Sequence, residues 1–229
     1  MPRGCPQQPA PNRLSGRTVA GLSSLGFGAF AVMTVLVHAR ALVGLDLAFT
    51  GAKQAVENPL LEVVGAITGV LVSAEVSVLI GLLMSLLLWR AGLGLWSATP
   101  LAFVLPVFLE LGLKMVVYQP PVPAEFHSEL PYPLLWVPTP GAYPSGHALR
   151  TGFFCAFLAV LAYTRGSARA ALRAVALLAL AVFVAYSRVY VGDHWLSDVV
   201  GGLLLGGSTA LLAAWPVGKR LAARARKGG

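Results

Sequence analysis

The amino-acid sequence predicts an all-α fold, a bundle of six membrane-spanning helices with both ends of the chain in the cytoplasm. Three observations carry that expectation. Of 229 residues, 57% are hydrophobic and only 11% charged, where a soluble domain carries about 25%. The apolar residues fall in runs matching the roughly 20 residues that cross a hydrocarbon core. Lysine and arginine collect between alternate runs and at the two ends of the chain.

Taken in order, residues 1–17 are rich in proline, carry Arg3, Arg13 and Arg17, and read as a disordered cytoplasmic tail. The apolar run that follows lacks a small-residue cleavage site, so it is expected to stay as the first span. Runs near 18–39, 60–89, 97–117, 147–164, 170–188 and 195–216 then form one six-span domain over 18–216. The second is long for one crossing, which implies a tilt or an interfacial beginning. Gly65 and Gly69, and again Gly202 and Gly206, repeat at four-residue spacing, the pattern of close helix packing. Residues 217–229 form a basic cytoplasmic tail.

Orientation follows from the cations. With the N-terminus inside, twelve of the seventeen Lys and Arg residues fall on the cytoplasmic side, leaving Arg40, Lys53, Lys114, Arg150 and Arg188. The positive-inside rule therefore places both termini in the cytoplasm. The five Trp residues lie near span ends, as an aromatic belt requires. A net charge of +8 raises nucleic acid as a partner, but the basic residues form no stripe with interleaved aromatics, and that class is set aside. Cys5 and Cys155 have neither pairing logic nor metal-ligand spacing. The excess of Arg over Lys, with abundant Ala, Gly and Leu, suggests a GC-rich bacterial genome.

Against this apolar background one polar set stands out. Pro144-Ser145-Gly146-His147 opens the fourth span, Ser187-Arg188 closes the fifth, and His194 and Asp198 open the sixth. Lys114 lies near the outer end of the third. All four pieces fall on the non-cytoplasmic side. Ionisable groups at such depth are costly and mark function.

These residues resemble the second and third signature motifs of the type 2 phosphatidic acid phosphatase family, over roughly residues 60–216. That family includes bacterial phosphatidylglycerophosphate and undecaprenyl diphosphate phosphatases, with vanadium haloperoxidases as soluble relatives. The resemblance implies a six-span phosphatase working through a phosphohistidine, with no cofactor and no metal.

The chemistry needed agrees with the residues. A phosphoryl group in transfer spreads charge over three oxygens, so fixed donors are the main requirement. Arg188 offers a bidentate fork and Lys114 a point charge. Ser145 and the Gly146 amide offer neutral donors, and a glycine there lets the backbone approach an oxygen closely. His147 begins a helix whose amides favour an anion. Asp198 is four residues after His194, hence on one helix face, and is expected to fix the His194 tautomer. With the resemblance, His194 is the nucleophile and His147 the general acid.

Other readings stand beside these. Asp198 is also placed to cap the sixth span, and Asp193, directly before His194, reads as such a cap and not as a catalyst. Glu110, four residues before Lys114, suits either a structural or a functional pairing with it. Glu75 has no evident partner in the sequence, and His38 and His127 read as interfacial and loop residues. Segment 118–146 holds eight of the sixteen prolines plus Phe126, Tyr132, Trp136 and Tyr143. An interfacial lid and a proline-stiffened crossover fit it equally.

The chain departs from the family at its first motif, which has Lys, six residues, then Arg-Pro. Counting from Lys114 reaches Pro121-Val122, and a slip of register aligns Gln119-Pro120, where Gln119 is a neutral donor. One guanidinium is missing. Arg150, three residues after His147, is a candidate to supply it to the phosphate; a salt bridge to Glu110 or Glu75, or snorkelling to the surface, is the alternative.

The leading expectation is a lipid phosphatase of a bacterial cytoplasmic membrane, its site facing the periplasm or cell exterior. Undecaprenyl diphosphate is the expected substrate, and the partners are a lipid phosphate and the surrounding membrane lipids. A phosphotransferase using the same site and a catalytically silent relative are the alternatives. Transport is disfavoured because no internal repeat or broken helix stands out.

Overall fold

The computed structural model describes residues 14–54, 58–123, 126 and 140–227. All regular structure among them is helical: α1 Gly16–His38, α2 Val43–Gln54, α3 Pro59–Leu71, α4 Ala74–Arg90, a 3-10 segment Gly94–Phe103 continuing as α5 Val104–Val116, α6 Gly146–Tyr163, α7 Ala168–Tyr190 and α8 Leu196–Lys227. Among the described residues, five helical stretches are long and apolar enough to cross a membrane, and six if the bent pair α3–α4 is one span. The all-α six-span expectation holds in this form.

Local sequence sets the helix starts. Ser15, Ser145 and Ser167 each cap a helix by accepting an amide three residues on, satisfying a donor the helix leaves open. Asn58 does the same for α3, with Pro59 in the first position where its missing N–H costs nothing. Gly16 and Arg17 are already in α1, so helix begins inside the stretch assigned to the tail. At the other end α8 continues to Lys227, through residues read as a basic tail.

Two features differ from the sequence reading. The second span is not a single tilted helix. It is broken at Val72–Ser73 and bent by 60°, with Ser73 capping the second half. Transport was disfavoured for want of an internal repeat or a pair of broken helices, and the described residues show one such break only, which serves the site described below. The second difference is α2, a short apolar helix between the first and second spans that was not foreseen.

Helix α6 is the centre of the bundle: 72% of its apolar window lies inside the protein, against 17% for α1. Its close fit to α8 depends on glycines. A Cβ on Gly202 would collide with Ser145 O and the Leu149 amide, and one on Gly206 with the Leu149 carbonyl. The small-residue repeat is therefore a backbone contact surface, as expected. Outward, α1, α4, α5 and α7 expose Leu25, Leu79, Leu105 and Leu172, the surface lipid requires.

Polar contacts mark the two ends of the bundle. At one end Trp215 Nε1 donates to Leu14 O at 3.1 Å, Arg220 lies over the Trp96 ring at 4.0 Å, and Arg224 Nη2 donates to Gly92 O at 2.7 Å. Lys114, Ser145, His147, Arg188 and His194 gather at the opposite end.

Candidate active site

The two histidines come from different helices. His147 lies in the first turn of α6, and His194 stands in the turn between α7 and α8, outside the spans. Their ring centroids are 6.1 Å apart, tilted by 59°. That separation lets both rings address one phosphoryl group. Burial, aided by the Lys114 charge, pushes the His194 imidazole down to about 3, so the ring is neutral and able to attack phosphorus at ordinary pH.

Asp198 approaches His194 as the i, i+4 spacing required. Its Oδ2 is 3.5 Å from His194 Nδ1, and the carboxylate is fully buried. The contact is long for a hydrogen bond, as catalytic contacts often are before substrate binds. The same Oδ2 accepts the Trp195 amide at 3.0 Å. Asp198 thus caps α8, the structural reading weighed for it, and the same carboxylate lies beside the His194 ring. Asp193 is not the cap expected of it. It pairs with Arg188, Nη1 to Oδ2 at 3.0 Å.

Arg188 is 2% exposed and held mainly by the broken helix. Its Nη2 donates to Gly65 O and, at 3.2 Å, to Thr68 Oγ1. Gly65 and Gly69 make this possible: a Cβ on Gly69 would collide with the guanidinium, and one on Gly65 with Val191. The first glycine repeat is therefore a seat for an arginine as well as a packing surface. Arg188 Nε is buried without a hydrogen-bond partner, a donor left over for an anion.

The other cations are organised by Glu110. Lys114 Nζ is 3.1 Å from its Oε1, and Arg150 Nη1 is 3.9 Å from its Oε2. Arg150 Nε donates at 2.9 Å to Val72 O, a carbonyl at the break between α3 and α4. The salt bridge weighed for Arg150 therefore exists, and Glu75 is the other carboxylate that acts on this guanidinium. Gly146 has a steric reason of its own beside the one inferred. A Cβ there would collide with the Glu110 carboxylate, so the missing side chain makes room for the residue that holds Lys114 and Arg150.

Ser145 closes the set. Its hydroxyl accepts the Ala148 amide at 3.3 Å, and its own amide donates to Asp198 O at 2.9 Å, tying the starts of α6 and α8 together. Beside it, Trp195 Nε1 donates to Pro120 O at 2.8 Å, and Val122, Phe126 and Ala142 pack on Trp195. The ends of the proline-rich segment are thus pinned at the site, whereas His127, Tyr132 and Trp136 lie outside the described residues. His38 ends α1 and is exposed, and Cys155 is buried in α6.

Sequence reasoning missed Asp46 and Ser197. The Asp46 carboxylate on α2 is buried and accepts both the amide and the hydroxyl of Ser197, one residue before Asp198. The available signal was a lone carboxylate in the apolar stretch Leu42–Thr50. Gln119, considered as a neutral substitute on the phosphate, is spent on this pair: Nε2 is 3.3 Å from Asp46 Oδ2 and 3.2 Å from Ser197 Oγ.

Fold and site together define an all-helical membrane protein with two histidines, a lysine and two arginines brought together at one end of the bundle. Residues 96–221, more than half of the chain, match the PAP2 superfamily, and the chain belongs to that superfamily. It is similar to the lipid A 1-phosphatase of Rhizobium etli, 35% identical over 97 residues, covering 35% of this chain and 38% of that protein. It is also similar to the lipid A 1-phosphatase of Rhizobium johnstonii, 34% identical over 97 residues, covering 35% of this chain and 36% of that protein. The alignments thus span little more than a third of each curated relative. The crystal structure of a transmembrane PAP2 type phosphatidylglycerolphosphate phosphatase from Bacillus subtilis has the same fold. It gives a TM-score of 0.62 at 20% identity, covering 88% of this chain and 96% of that one.

Proposed function

We propose that the chain is a lipid phosphatase that removes a terminal phosphate at the non-cytoplasmic face of a bacterial cytoplasmic membrane. The observation that carries this reading is the His147–His194 pair, 6.1 Å apart, at the bundle end where Lys114, Arg150 and Arg188 collect. His194 Nε2 attacks phosphorus while the bond to the lipid oxygen breaks, and His147 gives that oxygen its proton. Asp198 holds the Nδ1 proton of the ring that has become positively charged. Water then attacks the phosphohistidine, His147 takes its proton back, and inorganic phosphate leaves. Arg188 and Lys114 bear the charge on the transferring oxygens, with Ser145 and the Gly146 amide as neutral donors. Arg150 acts on the same centre from its seat between Glu110 and Val72 O, in place of the missing first-motif arginine.

The substrate class is a lipid phosphate or diphosphate. The name borne by the two Rhizobium relatives supports a lipid A type 1-phosphate, and the motif resemblance supports undecaprenyl diphosphate. The distribution of Lys and Arg supports the outward-facing orientation.

One assay tests substrate and orientation. Purified protein in detergent with chelator is given both lipids and phosphatidylglycerophosphate, and free phosphate is measured. Intact cells producing the chain are given an impermeant aryl phosphate. We expect phosphate release from at least one lipid and hydrolysis of the aryl ester before lysis. Transfer only to an added acceptor lipid would make the chain a phosphotransferase, and silence on every substrate would refute catalysis. Hydrolysis only after lysis would place the site in the cytoplasm.

A further inference from the structure

The nucleophile depends on Asp198, and Asp198 depends on how α8 begins. A helix start is ordinarily capped by a short polar side chain at the preceding residue, which takes up an open amide. Here that residue is Trp195, which has no acceptor. The work is divided between two carboxylates. Asp198 Oδ2 reaches back to the Trp195 amide at 3.0 Å, and Asp46 Oδ1, from α2, takes the Ser197 amide at 2.9 Å. Asp46 Oδ2 also accepts the Ser197 hydroxyl at 2.7 Å. Gln119 Nε2 reaches both Asp46 Oδ2, at 3.3 Å, and Ser197 Oγ, at 3.2 Å. Asp46 and Gln119 are 2% and 5% exposed.

Helix capping alone does not account for this arrangement. A serine or threonine in place of Trp195 would cap α8 without burying a second carboxylate beside the first, which is electrostatically unfavourable. The arrangement does meet a need of the site. Asp198 Oδ1 is buried with no hydrogen-bond partner, so the aim of the carboxylate is not fixed on that side by bonds of its own. It is fixed by the helical turn that Asp46 grips one residue away.

We infer that Asp46 and Gln119 are positioning residues for the nucleophile, seating the first turn of α8 so that Asp198 meets His194 Nδ1. This rests on the assignment of His194 as nucleophile. It also gives Gln119, where a slipped first motif would carry arginine, a role on the carboxylates and not on the phosphate.

The test combines a kinetic cycle with a spectroscopic readout on the full chain in detergent. With an aryl phosphate, Asp46→Asn should lower kcat about 10- to 100-fold, the scale of a small misplacement of a reacting group, with KM little changed. In an Asp198→Asn background the same change should cost less than about twofold, because residues that act through one another are not additive. Equal losses in both backgrounds would overturn the inference, as would a rise in KM that accounts for the whole effect. The chain has four histidines, so His194 can be assigned in a nitrogen-15 spectrum by comparison with His194→Gln. We expect a single Nδ1–H tautomer that becomes mixed in Asp46→Asn and in Gln119→Leu; an unchanged tautomer in both would also overturn it. If Asp46→Asn fails to fold, Ser197→Ala, which removes one of the Asp46 contacts, takes its place in both arms. A wild-type chain inactive on every phosphate ester would refute the proposed function, and the spectra would still decide this inference.

Discussion

At His147 the account makes a distinction that a purely structural histidine would not show. A general acid matters in proportion to how poor the leaving group is. Removing it by His147→Ala should slow release of a lipid alkoxide about 100- to 10,000-fold, while an activated aryl phosphate loses far less. Steady-state rates on the two substrates check this, and equal losses on both would remove the acid assignment. Most of the site residues were legible because each is a polar group in a stretch that otherwise has none: His147, Arg150, Arg188, His194 and Asp198 each stood out against apolar neighbours. What lay hidden was the pairing. Nothing in the sequence ties Asp193 to Arg188, or Asp46 to Ser197 across 151 residues, because those contacts are set by helix packing. Gly146 shows the same limit. Its need for no side chain was legible, but the neighbour occupying that space, Glu110, came from the structure.

Among the elements, the broken helix α3–α4 ties the arginines of α6 and α7 together. Hydropathy alone did not reveal the break, because Ser73 and Glu75 are too few polar residues to end so long an apolar run and neither Gly nor Pro stands at Val72 or Ser73. The break matters because it leaves backbone carbonyls that a membrane interior cannot satisfy, and Arg150 meets one of them at Val72. Upstream in α3, the face holding Gly65 and Gly69 takes the Arg188 guanidinium. Gly69→Val should therefore displace Arg188 and lower kcat/KM about 100- to 1,000-fold, as losing one preorganised donor does. Gly28→Val, where a Cβ meets nothing within 4 Å, serves as the control and should leave turnover and folding unchanged. Full activity in Gly69→Val, or equal damage from both substitutions, would show that the glycine seat is not what holds the arginine. Helix α2 was missed for a related reason. At 12 residues it is too short for a span, and its contact through Asp46 is with a distant part of the chain.

For the whole molecule, the arrangement follows from opposing demands. Lipid requires an apolar exterior with no unpaired backbone, which α1, α4, α5 and α7 provide. Phosphoryl transfer requires cations and acids held close together out of water. The bundle meets both by keeping α6 at its centre and gathering the histidines and their cations at one end. There Lys114, Ser145, His147, Arg188 and His194 come from four separate stretches of sequence, with Glu110 beside Lys114, Asp193 beside Arg188 and Asp198 beside His194. The measurement that tests this account most directly is a rapid acid-free quench of the protein with a phosphorus-32-labelled aryl phosphate, followed by proteolysis and mapping of the label. The account predicts an acid-labile, base-stable phosphohistidine at His194, absent in His194→Ala although that variant remains folded and membrane-inserted. Label on any other residue, or turnover that persists in His194→Ala, would contradict it.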